Sequence, residues 1–146
     1  MPNKPVKRQI FVALGLIVNE RGEILLGRRH DPRNRGMHGK WEFPGGKVEF
    51  GENPKDTVIR EANEEVALDV VPEKILNIYS WFHPDRPHIQ VILMAYVARA
   101  SNPGHARPNC REVSEVSWVT IDHALTLSVI ENNKTILNDL KNHLNA

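Results

Sequence analysis

The stretch GKVEFGENPKDTVIREANEEVAL, residues 46–68, decides how the chain is read. Its second half predicts a helix over residues 53–66. Asn53 is a good N-cap, since its side-chain oxygen can take a backbone N–H of the first turn, and Pro54 suits the first helical position, where no N–H is needed. Asp56 lies in the first turn, where the helix dipole favours an anion. Val58, Ala62 and Val66 recur every four residues with Ile59 beside them, giving one apolar stripe to bury. Glu61, Glu64 and Glu65 stand at i, i+3 and i+4, which predicts three carboxylates on one side of the helix. Like charges so spaced destabilise an isolated helix by roughly 0.2–0.5 kcal/mol per pair, and Arg60, four residues before Glu64, offsets part of that. A hard divalent cation would reverse the repulsion. Mg²⁺ takes oxygen ligands, keeps several waters and typically meets phosphate oxygens as well. Clustered carboxylates beside a Gly-rich turn therefore describe a metal–phosphate site, whereas a bare trio of glutamates reads more simply as a solvated helix face.

Working outward, residues 10–18 read as a buried strand, residues 19–22 as a tight hairpin turn, and residues 23–29 as a second strand. Residues 30–40 form a polar loop, residues 41–43 a short strand, and Pro44-Gly45-Gly46 breaks it. After the helix, residues 75–81 and 89–99 read as strands around a turn at 84–87. A strand at 113–120 and a C-terminal helix at 128–144 follow, the latter offering Ile130, Leu137, Leu140 and Leu144 to the core. Strands mixed with at least two helices predict an α/β (α+β) sandwich rather than a regular doubly wound sheet. The 146 residues fit a single domain spanning 1–146. A net charge of +1 gives no bulk attraction to nucleic acid or membrane, and neither is expected as a partner. The apolar run at 10–18 is too short to span a bilayer, and no small-residue cleavage site follows it. The lone Cys110 forms no internal disulfide, compatible with a cytoplasmic protein. The seven histidines show no zinc-type spacing.

The frame around the carboxylates is more specific than the carboxylates themselves. Gly46, five residues, Glu52, seven residues, then Arg60-Glu61-Ala62-Asn63-Glu64-Glu65-Val66-Ala67-Leu68 resembles the Nudix box at every fixed position but one, where Ala67 stands for Gly. Glycine there eases the chain out of the helix at positive φ, and Ala costs on the order of 1 kcal/mol in that conformation. The resemblance implies a Nudix α/β/α sandwich with a loop–helix–loop motif, a Mg²⁺ or Mn²⁺ cofactor, and a substrate made of a nucleoside diphosphate linked to another moiety. Carried over by position, Glu61, Glu64 and Glu65 become metal ligands, with Glu61 also orienting or deprotonating water. Glu52 and Arg60 pair to brace the loop, and the Gly46 carbonyl is a further metal contact. An additional carboxylate comes from the loop before a late strand, for which Glu112 and Glu115 are both placed.

Residues 10–99 are similar to the MutT-type members, which remove oxidised guanine nucleotides. The stretch from Lys40 to Glu49 looks like their approach to the box, and Glu42 matches a position that contacts the sugar. Asp85 and Arg86 match a segment that approaches the base, and Asn132, on the C-terminal helix, matches an amide that does the same. Arg28, Arg29 and Lys47 add positive charge for phosphates. The leading expectation is hydrolysis of a purine nucleoside triphosphate, oxidised guanine included, to monophosphate and pyrophosphate, by a monomer or homodimer. An ADP-ribose pyrophosphatase is the same-fold alternative, since Pro84 lies sixteen residues after Leu68. A non-catalytic nucleotide- or RNA-binding module is the third, and the intact box glutamates weigh against it.

Overall fold

A computed structural model describes residues 3–130 and 132–146. Eleven elements are arranged as two sheets between helices. They are β1 (Arg8–Ile17), β2 (Ile24–Arg29), β3 (Trp41–Glu42), β4 (Gly45–Lys47), α1 (Pro54–Val66), β5 (Val70–His83), β6 (Arg86–Ala100), a 3₁₀ turn (Pro103–His105), β7 (Val113–Val119), α2 (Ile121–Ala124) and α3 (Asn132–Leu144). The larger sheet runs β4-β1-β6-β5 and the smaller β3-β2-β7. In the larger one β1 is parallel to β6, while the β1–β4 and β5–β6 pairs are antiparallel.

The continuous apolar run in β1 has a direct cause: the strand is covered on both faces. Leu14 and Leu16 point into a core shared with Ile136, Leu137 and Leu140 of α3. Ala13 and Ile17 point the other way, against Val58, Ala62 and Val66 of α1. The tight turn after β1 is present, with Gly22 N donating to Asn19 O at 3.0 Å and Gly22 at φ 74°. It passes the chain from one sheet to the other, β2 pairing with β3 and β7.

Four expectations change. Strands β5 and β6 are longer than the hydrophobic pattern marks, because the turn is only Pro84-Asp85 and both prolines beyond it are tolerated. Pro72 lies on β5, the sheet edge, beside a register shift between Pro72 and Lys74, where proline is tolerated, and Pro87 is the second residue of β6. The C-terminal helix begins at Asn132 rather than residue 128. Residues 128–130 instead run beside β3, where Trp41 N donates to Ser128 O at 2.9 Å and Ile130 N to Trp41 O at 3.1 Å. Leu144, expected in the core, is exposed, and so is Ile59 on α1.

Helix α1 forms for the expected reasons. Asn53 Oδ1 accepts from Lys55 N at 3.0 Å, and Pro54 opens the first turn. Ala67 ends the helix in the left-handed conformation, φ 59° and ψ 31°, with its N–H on Ala62 O and Asn63 O. This is the backbone that the replaced glycine would adopt without strain.

Candidate active site

Strand β4 and helix α1 meet at Gly46. A Cβ built there would overlap the Glu61 carboxylate, so only glycine lets the helix carry Glu61 this close to the strand. Beside it, Gly45 N donates to Glu65 Oε2 at 3.0 Å. Glu61, Glu65 and Glu112 each offer an oxygen within 4.8 Å of the other two. This cluster lies in a cleft of about 790 Å³ that is also lined by Trp81, His83, Arg86 and Asn132.

Glu64 stands outside the cluster. At about 100° per residue it lies roughly opposite Ala62, the centre of the buried stripe, whereas Glu61 and Glu65 flank that stripe on one side. Its half-exposed carboxylate is 3.4 Å from Arg60 Nη1. The i, i+3, i+4 spacing thus delivers two of the three carboxylates to the cleft, not all three. Of the two late acids, the loop residue Glu112 joins the cluster. Glu115 lies on β7 opposite Arg28, pairs with it at 3.0 Å, and does not line the cleft.

Arg60 sits at the back of the cluster. Its Nε donates to Glu52 Oε2 at 2.9 Å, its Nη1 to Glu61 Oε1 at 2.9 Å and its Nη2 to Lys47 O at 3.3 Å. Glu52 also accepts from Thr57 Oγ1 at 2.6 Å and Glu49 N at 3.2 Å. The Arg60 hydrogen bond, with that of Thr57, lowers Glu52 to about 2, and the same guanidinium is pushed upward by its bond to Glu52. The cluster behaves in the opposite way. Burial raises Glu61 despite Arg60, and burial followed by the nearby Glu61 charge raises Glu65 to about 9. Three carboxylate oxygens this close together, two of them on carboxyls that burial raises, over a strand with no side chain in the way, suit a hard divalent cation.

Along the cleft wall, Arg29 Nη2 is 3.1 Å from Asp31 and its Nη1 3.5 Å from Glu42. Burial raises the Glu42 carboxyl, and Arg29 opposes that rise. Lys47 and Arg86 line the cleft, while Asp85 does not: it occupies the exposed turn, its N–H on His83 Nδ1 at 3.1 Å. Asn132 opens α3, and its Oδ1 is buried without a hydrogen-bond partner among the described residues. It is therefore not capping the helix with that oxygen. Trp81 lines the cleft and packs edge-on against His83, ring centroids 5.6 Å apart, while Phe82 faces out and is exposed. Asn109, next to Glu112, was not singled out in the sequence; an Asn followed by polar residues in a loop was its only signal.

Comparisons with known proteins identify the family. Residues 8–140 match the family model described as NUDIX domain. A protein named 8-oxo-dGTP diphosphatase in Proteus vulgaris is 30% identical over 105 residues, spanning 72% of this chain and 91% of that one. One of the same name in Haemophilus influenzae is 31% identical over 119 residues, with 82% and 81% covered. The crystal structure of a MutT protein from Methanosarcina mazei Go1 superposes with a TM-score of 0.82 at 28% identity, covering 98% of this chain and all of that one. The chain belongs to the NUDIX domain family and is MutT-like in sequence and fold.

Proposed function

We propose that the chain hydrolyses a purine nucleoside triphosphate, with oxidised guanine preferred, to the monophosphate and pyrophosphate. The convergence of Glu61, Glu65 and Glu112 at the Gly45-Gly46 turn carries this reading. These carboxylates, with the Gly46 carbonyl, would hold Mg²⁺ or Mn²⁺, which when bound neutralises phosphate charge and makes water a better nucleophile at neutral pH. Glu64 would reach the site only by swinging its half-exposed side chain inward. Glu61, braced by Arg60, is the base that orients and takes a proton from the attacking water. Lys47 and Arg29 face the phosphates, Arg29 by exchanging a carboxylate partner for a phosphate oxygen. Glu42 takes a sugar hydroxyl.

In the same cleft, Asn132 supplies an amide able to give and take hydrogen bonds on a purine edge. A buried oxygen left without a protein partner is what a base N–H would satisfy. Arg86 adds a donor there, and Asp85 has no place in this contact. The relatives named 8-oxo-dGTP diphosphatase support the same substrate class. A cytoplasmic protein, monomeric or homodimeric, belongs to the same reading; no described helix is long and apolar enough to cross a membrane.

The test is a substrate panel with Mg²⁺: 8-oxo-dGTP, dGTP, dATP, CTP and ADP-ribose, with chromatography of the products. Monophosphate plus pyrophosphate, with highest kcat/KM on the oxidised purine, is the expected result. Nucleoside diphosphate plus phosphate, or a preference for ADP-ribose, would overturn the proposal.

A further inference from the structure

Glu112 reaches the carboxylate cluster from a loop, not from a helix or strand, and its side chain is exposed. Its backbone is what holds it. Glu112 O accepts from His30 N at 2.8 Å, and Glu112 N donates to Asn109 Oδ1 at 3.0 Å. The same Asn109 oxygen also accepts from Arg111 N at 3.0 Å and Val113 N at 3.1 Å. Three successive N–H groups therefore converge on one side-chain atom. Such a nest of amides would otherwise be an anion site, and here it is filled internally. Cys110 turns the chain in the left-handed conformation, φ 63°, with its N–H on Val113 O at 2.9 Å.

The other end of Asn109 is fixed as firmly. Its own N–H donates to Glu65 O at 3.0 Å, so it is tied to the helix residue that supplies the most buried carboxylate of the cluster. One residue thus spans the gap between Glu65 and Glu112: backbone on the first, side chain around the second. The geometry points to Asn109 as a positioning residue that sets the Glu112 carboxylate at its distance from Glu65, and so sets the cation affinity of the site. Asparagine suits the task because its carbonyl lies at the reach needed to close a turn onto N–H groups two to four residues ahead. The inference rests on the metal reading of the cluster given above.

The experiment uses Mn²⁺ alone as probe, its binding to the intact chain measured by electron paramagnetic resonance, with melting temperatures recorded in parallel without metal. Asn109→Ala is expected to weaken Mn²⁺ binding about 10-fold or more, the range seen when a group that orients a metal ligand is removed. Asn109→Asp, which keeps the acceptor oxygen, restores binding to within about 3-fold of wild type, less than that same range. In a Glu112→Gln background the Asn109→Ala change adds little, because the two act through one ligand. A merely structural role would lower the melting temperature and leave Mn²⁺ affinity unmoved, or weaken binding equally in both backgrounds; either overturns the proposal. Should Asn109→Ala fail to fold, Asn109→Ser replaces it in the same comparison. If Glu112→Gln weakens Mn²⁺ and the Asn109 variants do not, the positioning role alone falls. If wild type binds no Mn²⁺, the metal reading falls and this inference with it.

Discussion

Replacing Glu65 with Gln should make the metal-free protein more stable and the enzyme nearly inactive. Glu65 is 6% exposed, and in the folded chain its carboxyl holds a proton up to about 9, against an ordinary value of 4.5. Between those values the folded state binds a proton that the unfolded state has lost. Stability must then fall as pH rises through that window and be unaffected by this group below about 4.5. The loss is at most about 1.4 kcal/mol per pH unit. From pH 5 to 7.5 this amounts to at most ~3 kcal/mol, or roughly 10 °C in melting temperature for a chain of this size. The glutamine side chain of Glu65→Gln cannot ionise, yet its amide oxygen can still accept from Gly45 N, as Glu65 Oε2 does at 3.0 Å. The assay is thermal unfolding in EDTA for both proteins, from pH 5 to 8.5. The two melting curves should nearly coincide at pH 5 and separate as pH rises, with Glu65→Gln the more stable. Adding Mg²⁺ should stabilise wild type and leave the variant behind, and activity should drop by about 10²-fold or more, as for loss of a key electrostatic group. A difference in melting temperature that does not change with pH would refute the argument, because it would mean the carboxylate is ionised in the folded chain throughout.

Four further outcomes are expected. Ala67→Gly should stabilise the protein by about 0.5–1 kcal/mol, since φ 59° strains alanine and not glycine, with kcat/KM unchanged; a lower melting temperature would contradict it. Gly46→Ala should keep the fold by circular dichroism but lose about 10-fold or more in kcat/KM, because the new Cβ displaces Glu61 from the cluster; near-normal activity would show that Glu61 need not lie against β4. Glu112→Gln should impair hydrolysis while Glu115→Gln leaves it near wild type, as Glu115 is engaged with Arg28 on the surface; equal losses would return Glu115 to the site. Asn132→Ala should narrow the kcat/KM gap between the best purine triphosphate and its competitors with little change in melting temperature, and an unchanged ratio would remove Asn132 from base recognition.

Helix α1 was legible in the sequence because every signal that fixes it is local: a cap at Asn53, a proline at the first position, and an apolar period of four. The left-handed exit at Ala67 was legible for the same reason. Glu61, Glu64 and Glu65 do share one side of α1, but spacing does not say where the buried stripe lies relative to them, so it was not legible that only Glu61 and Glu65 of the three line the cleft. The choice between Glu112 and Glu115 could not be made from sequence, since it depends on strand register: Glu115 pairs with Arg28 across β2 and β7, a contact 87 residues apart. The start of α3 was hidden likewise by a long-range event, the pairing of residues 128–130 with Trp41. Asn109 acts on its own loop, but the contact that gives it meaning, from its N–H to Glu65 O, is 44 residues distant in sequence, from the numbering 109 and 65.

Helix α1 and its approach loop carry carboxylates of two kinds, and Arg60 separates them. Glu52 is placed where Arg60, Thr57 and the Glu49 N–H all favour its charge, so it stays ionised at about 2 and above. Glu61 shares the same guanidinium but is held up by burial, and Glu65 has Glu61 for a neighbour and no cation of its own. Divergent environments for nearby acids are how one site assigns different roles to the same side chain. Glu52 is a fixed strut whose partner is already present. Glu65 has its charge withheld until something positive arrives, and protons and divalent cations compete for it. Cation binding should therefore release protons below about pH 9 and tighten as pH rises, while Glu52 contributes nothing to that dependence.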